Sequence, residues 1–172
     1  MFILIGSKLK KFISNFEKIR IFRNSISFVM KTVAQPGSNL KSKFNHIDMD
    51  SNFSIVLSAR KGLHTKVFYD FAEAIKMPER RLAAIMNVSA RTISNYKEAQ
   101  KTLEPLYGEH LLKLISLFEK GEELFGTIDE FNYWLQKPFW NSTEKPSDWL
   151  TTGGGVDFLS EELNKMAEGY PG

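Results

Sequence analysis

The chain has 172 residues, 42% hydrophobic and 25% charged, enough for one sizeable globular domain or two small ones. It has no cysteine, which excludes disulfides, thiolate metal sites and a cysteine nucleophile, and is compatible with a reducing cytoplasm. The net charge of +3 divides unevenly: 9 Lys/Arg and 3 Asp/Glu over 1–59 (+6), 9 and 4 over 60–101 (+5), 5 and 13 over 102–172 (−8). A sign change of that size predicts two surfaces with different partners, the basic one suited to phosphate.

The opening MFILIGSKLKKF has an apolar run too short for a signal-peptide core or a bilayer span, and a soluble, cytoplasmic protein is expected. Two readings of 1–29 stay open. Lys8, Lys10, Lys11, Phe12, Ile13, Phe16, Lys18, Ile19 and Arg20 suit a basic amphipathic helix. Alternatively translation starts at Met30 and the stretch is not made, which is the favoured reading. Residues 31–52, polar and broken by Pro36-Gly37, complete a flexible leader over 1–52.

From Phe53 the pattern is helical. Phe68, Phe71, Ala72 and Ile75 place one apolar stripe on a helix over about 64–76. Pro78 opens a second helix with Leu82, Ile85 and Met86 on one face, stopping at Asn87-Val88. Ser89 is placed to cap a third, about 90–100, which buries Ile93 and Tyr96. Two short helices joined by a tight turn meet the requirement of helix-turn-helix geometry.

Past Leu103-Glu104-Pro105 a longer helix turns Leu111, Leu114, Ile115, Phe118 and Leu124 inward and ends at Gly126. Thr127 caps a helix that Pro138 terminates, and a last helix over about 155–168 carries Phe158, Leu159, Leu163 and Met166. Trp134 and Leu135 read as core, Leu150 as core with them, and Trp149 as either core or a surface anchor. Gly153-Gly154-Gly155 lacks the Lys-Ser/Thr of a phosphate loop and reads as a flexible start to that helix. Only Ser54-Ile55-Val56-Leu57 alternates with period two, so the expected fold is all-α.

Three stretches together resemble the Xre/MbcA/ParS-like antitoxin family. They are SARKGL (58–63), RRLAAIMNVSARTISNYKEAQKTLEP (80–105) and a C-terminal pattern opening with LFG (124–126). That pattern continues through Trp134, Leu135, Pro138, Pro146, Leu150, Thr152, Gly155, Leu159, Leu163, Met166 and Gly169. The likeness covers about 53–169. Asn95 and Tyr96 depart from it, standing where relatives continue with arginines, and the loop between Pro138 and Pro146 lacks the usual Leu-Gly-Gly.

The resemblance implies a helix-turn-helix DNA-binding domain over 53–104 and a helical toxin-binding domain over 105–172. In such a unit the start of the second helix faces base edges and flanking cations hold phosphates. Ser89, Arg91, Thr92 and Asn95 occupy the reading positions; Arg80, Arg81, Lys97 and Lys101 are the phosphate candidates. A homodimer is expected, because one unit offers few contacts for a specific site. The resemblance further implies a RES-domain toxin partner that consumes NAD or transfers ADP-ribose. Phe139, Trp140, Glu161, Glu162, Glu168 and Tyr170 are the candidate contacts, aromatic anchors beside acidic groups that suit a basic cleft.

Catalysis is not expected. His46, His64 and His110 lack metal-ligand spacing, and the adjacent pairs Glu122-Glu123 and Glu161-Glu162 point apart on a helix. No cofactor or metal is expected. The sequence therefore reads as an antitoxin that also represses its own operon. The alternative is a stand-alone helix-turn-helix regulator whose C-terminal helices serve dimerisation.

Overall fold

The computed structural model describes residues 40–139 and 143–169. The expectations for 1–39, including the two readings of 1–29, lie outside them. The described residues form an all-α fold: α1 (Leu40–Phe44), α2 (Asn52–Arg60), α3 (Thr65–Ala74), α4 (Glu79–Ile85), α5 (Ala90–Glu98), α6 (Pro105–Phe125), α7 (Ile128–Leu135) and α8 (Gly153–Ala167). A 3-10 turn over Pro146–Thr151 precedes α8, and β1 (Leu63–His64) pairs antiparallel with β2 (Thr102–Leu103).

The central element is α6, which packs against α1, α2, α7 and α8. Leu111, Leu112, Leu114, Ile115, Leu117 and Phe118 are all buried, so this helix is apolar around most of its middle. Buried helices show that pattern because they have neighbours on several sides. An edge-to-face aromatic series crosses the core. Phe44 meets Phe71 with ring centroids 6.1 Å apart, Phe71 meets Phe118 at 5.5 Å, and Phe118 meets Phe131 at 5.0 Å. Trp134 stacks on Phe131 at 5.7 Å, in keeping with its reading as core. Gly121 makes room for that end of the series: a Cβ there would lie 2.4 Å from the Phe131 ring.

Residues 40–52 depart from the expected leader. Leu40 and Phe44 are buried, and Glu122 Oε2 accepts the Leu40 N–H at 2.8 Å, closing the start of α1 onto α6. A polar stretch holding only two core side chains carries too little periodicity to mark them. Ser54–Leu57, the alternating run, lies inside α2. Ser51 caps that helix through the Ser54 N–H, and Ser54 answers to the Ser51 N–H, a reciprocal box that outweighs a four-residue alternation. The two-residue ladder buries Leu63 against Leu103 and is too short to show a period.

Most helix starts follow their caps. Ser89, Thr127 and Thr152 accept N–H bonds from Thr92, Glu130 and Gly155. His64 caps α3 in the same manner, its Nδ1 accepting the Lys66 N–H at 3.1 Å. The ends of α3, α4 and α5 form a set. Lys76, Asn87 and Gln100 have φ of 55°, 55° and 53°, and the next N–H in each case reaches back five residues: Met77 to Ala72, Val88 to Ala83, Lys101 to Tyr96. Each is a Schellman closure with a non-glycine residue in the left-handed position.

One expectation about inward faces needs correction: Phe158 is 37% exposed. Trp149, open to either reading, is also 37% exposed, whereas Leu150, Leu159 and Leu163 are buried as expected. The Gly153–Gly155 run is the first turn of α8 itself. A Cβ on Gly155 would stand 2.0 Å from the Trp149 carbonyl oxygen, so close approach of backbone, not flexibility, requires glycine there.

Candidate nucleic-acid interface

Helices α4 and α5 form the helix-turn-helix. Leu82, Ala83, Ile85 and Met86 of the first, Val88 of the turn and Ile93 of the second are buried, leaving the opposite faces to solvent. Ser89 fixes where α5 begins. Its Oγ accepts the Thr92 N–H at 2.9 Å and lies 2.7 Å from Thr92 Oγ1, so these two side chains secure the start of the helix. Arg91, in the first turn of that helix, and Asn95, one turn further on, are both exposed. On α4, Arg80 and Arg81 are exposed as well. Among the described residues, none of these three arginines has a carboxylate within salt-bridge distance.

The second half of α5 is engaged with the protein. Lys97 Nζ lies 4.3 Å from the centre of the Tyr69 ring on α3, and Ser94 donates to Glu98 at 3.0 Å. Burial raises the Tyr69 hydroxyl pKa, with Glu79 and Glu98 adding to it. Tyr96 turns toward Glu104, donating to its Oε1 at 2.7 Å, and that bond raises the tyrosine pKa. Lys101 follows the left-handed Gln100 and is exposed. Of the eight candidates, Arg91 and Asn95 are thus exposed on α5, Arg80 and Arg81 on α4, and Lys101 past the end of α5. Ser89 and Thr92 hold the helix start, and Lys97 covers an aromatic ring.

The candidate partner-binding residues fall elsewhere. Phe139 packs edge-on to Phe158 at 6.2 Å, and Phe158 lies 4.9 Å from Trp149. Glu161 and Glu162 follow one turn after Phe158 on α8; Glu161 is exposed, and Glu162 receives Lys165 at 2.7 Å. Glu168 is exposed just past the end of α8. Trp140 and Tyr170 lie outside the described residues. Phe158 was missed as a surface aromatic because apolar spacing on a helix reads as core, whereas Trp149 was open to either reading. Their positions beside the acidic turn of α8 were the available signal.

Among the described residues no group of His, Asp and Glu is arranged to hold a metal ion, and no helix is long and apolar enough to cross a membrane. The fold and the exposed cations of α4 and α5 define an all-α protein with a helix-turn-helix. Residues 54–116 match the family model of the antitoxin Xre-like helix-turn-helix domain. That match supports a DNA-binding antitoxin or regulator. No curated protein matches the chain.

Proposed function

We propose that this chain is the antitoxin of a type II toxin–antitoxin pair, acting as a homodimer in the cytoplasm. Residues 53–104 bind the operator of its own operon, and residues 105–172 hold and block a RES-domain toxin that consumes NAD or transfers ADP-ribose. The observation that carries the reading is the Xre-like match over a helix-turn-helix whose Arg80, Arg81 and Arg91 are exposed without a carboxylate partner among the described residues. An unpaired guanidinium on such a face suits a guanine edge or a phosphate.

On the DNA, Arg91 addresses guanine O6/N7 and Asn95 adenine N6/N7, while Arg80, Arg81 and Lys101 neutralise phosphates. On the toxin side, the exposed Trp149 and Phe158, with the half-buried Phe139 against Phe158 and Glu161 one turn on, support a contact made of apolar anchors and acidic steering groups. The test is co-expression and co-purification with the product of the adjacent reading frame, followed by measurement of NAD loss. A stable complex that suppresses NAD loss is expected. A neighbour that neither binds nor harms cells would sink the antitoxin reading and leave a stand-alone regulator.

A further inference from the structure

The segment after α6 makes polar contacts on both sides of α4, at the turn that closes α4 and at the turn that closes α3 ahead of it. At the far end, Asn87 Nδ2 donates to the Thr151 carbonyl at 2.7 Å, across 64 residues of sequence. At the near end, Asn132 Nδ2 of α7 donates to the Ile75 carbonyl at 3.1 Å, and Lys76 pairs with Asp129 at 2.5 Å. Asn87 and Lys76 are the left-handed residues that close α4 and α3. Two chain reversals, each needing an unusual backbone conformation, are therefore held from outside by the C-terminal part of the chain.

The acceptor at Thr151 is itself fixed. Leu150, its neighbour, is buried, and His110 Nε2 on α6 contacts the Leu150 carbonyl at 2.9 Å. Thr152 caps α8 through the Gly155 N–H at 3.0 Å. The series runs from the central helix through the 3-10 turn to Asn87, and Asn87 stands two residues before the Ser89 cap of α5. A cap that near shares any movement of the turn, and bidentate base contacts tolerate little displacement of the helix that carries them.

We propose that Asn87 and Asn132 are positioning residues: they hold α4 and the start of α5 at a fixed orientation to the C-terminal part of the chain, and so set the aim of Arg91 and Asn95. The DNA consequence rests on the reading of α5 as the base-contacting helix; the brace itself does not.

Asn87→Gly is the decisive variant, because glycine takes φ near +55° without strain and the turn survives while the bond to Thr151 is lost. Asn132→Ala removes the other contact. Three quantities are measured on the full chain: hydrogen exchange without DNA, thermal unfolding, and binding to a duplex from upstream of its own reading frame beside a random-sequence duplex. In Asn87→Gly, exchange across 86–98 is expected to rise about tenfold while α6 and α8 keep wild-type protection. Tm stays within about 2 °C, and binding to the upstream duplex weakens about tenfold with little change on the random one.

Unchanged exchange across 86–98, or an equal rise throughout the molecule, overturns the brace. Localised exchange with unchanged discrimination between the duplexes overturns the aiming role. A wild-type chain that binds neither duplex defeats the DNA reading, and the exchange result then decides the brace by itself.

Discussion

Two sets of cations in this molecule are deployed in opposite ways. On α4 and the first half of α5, Arg80, Arg81 and Arg91 are exposed, and among the described residues none has a carboxylate partner. On α6 and α8, Lys113 lies between Asp157 at 2.7 Å and Glu109 at 3.6 Å, and Lys165 contacts Glu162 at 2.7 Å. Charge counted along the sequence overlooks this distinction. A lysine whose field is already met by a neighbouring carboxylate offers little to a phosphate, whereas an uncompensated guanidinium keeps its attraction and its fork of donors. The difference teaches that local pairing, as much as net charge, selects the face that draws an anionic polymer.

The largest effect is expected on the C-terminal side and bears on packing alone. Gly155→Ala drives a Cβ onto the Trp149 carbonyl, a backbone atom that cannot swing aside, and is expected to lower unfolding free energy by about 3 kcal/mol. Urea denaturation measures it; a loss below about 1 kcal/mol would show that the start of α8 relaxes freely.

Arg91→Ala comes next and acts on the other side of the comparison. It is expected to weaken binding to the upstream duplex by about 10- to 100-fold, with Tm nearly unchanged because the side chain is exposed. Fluorescence anisotropy with single-base variants of the duplex would show the loss of discrimination at one position. Equal weakening on every sequence would make Arg91 a phosphate contact instead.

Replacing Arg80 and Arg81 together by alanine is the sharper test of paired against unpaired cations. Each phosphate contact contributes about 0.9 to the slope of log K against log salt, so the slope should fall by about 2. Lys165→Ala, which removes a cation already held by Glu162, should leave the slope where it was. Equal changes in the two variants would erase the distinction drawn above.

Much of this was legible in the sequence, and the gaps have physical causes. The stripe of Phe68, Phe71, Ala72 and Ile75 and the cap at Ser89 gave α3 and the start of α5 directly. The ends of α3, α4 and α5 were harder to place. Left-handed closures are normally signalled by glycine, and here Lys76, Asn87 and Gln100 hold those positions. Of these only asparagine is a common substitute, and the expected stop at Asn87-Val88 was right there. α1 was missed because Leu40 and Phe44 stand in a polar stretch, and their burial depends on partners such as Phe71 far along the chain. At the candidate interface the exposed arginines were legible by type and spacing. The diversion of Tyr96 to Glu104 and of Lys97 to Tyr69 was not, because tertiary contacts direct both side chains.

The smallest expected effect concerns two half-buried titratable groups of α6, which respond to pH in opposite senses. Burial lowers the His110 pKa, so its contribution to stability is complete above the ordinary histidine value and is lost as pH falls through the lowered one. Burial raises the Glu119 pKa, with Glu122 and Asp50 adding to the effect and Lys41 opposing it. Ionising that carboxyl therefore works against the fold, and the relative stability it gives is complete below the ordinary carboxylate value and lost as pH rises through the raised one. Glu119→Gln is expected to raise Tm at pH 7 by about 1–2 °C, a gain that shrinks on acidification and vanishes below the ordinary glutamate range. His110→Gln should instead reduce the loss of Tm between pH 7 and 5 and leave the behaviour of Glu119 untouched. Thermal unfolding of wild type and both variants across that range separates the two groups. A Glu119→Gln gain that stays constant with pH would mean that packing against α1, not the charge, governs that position.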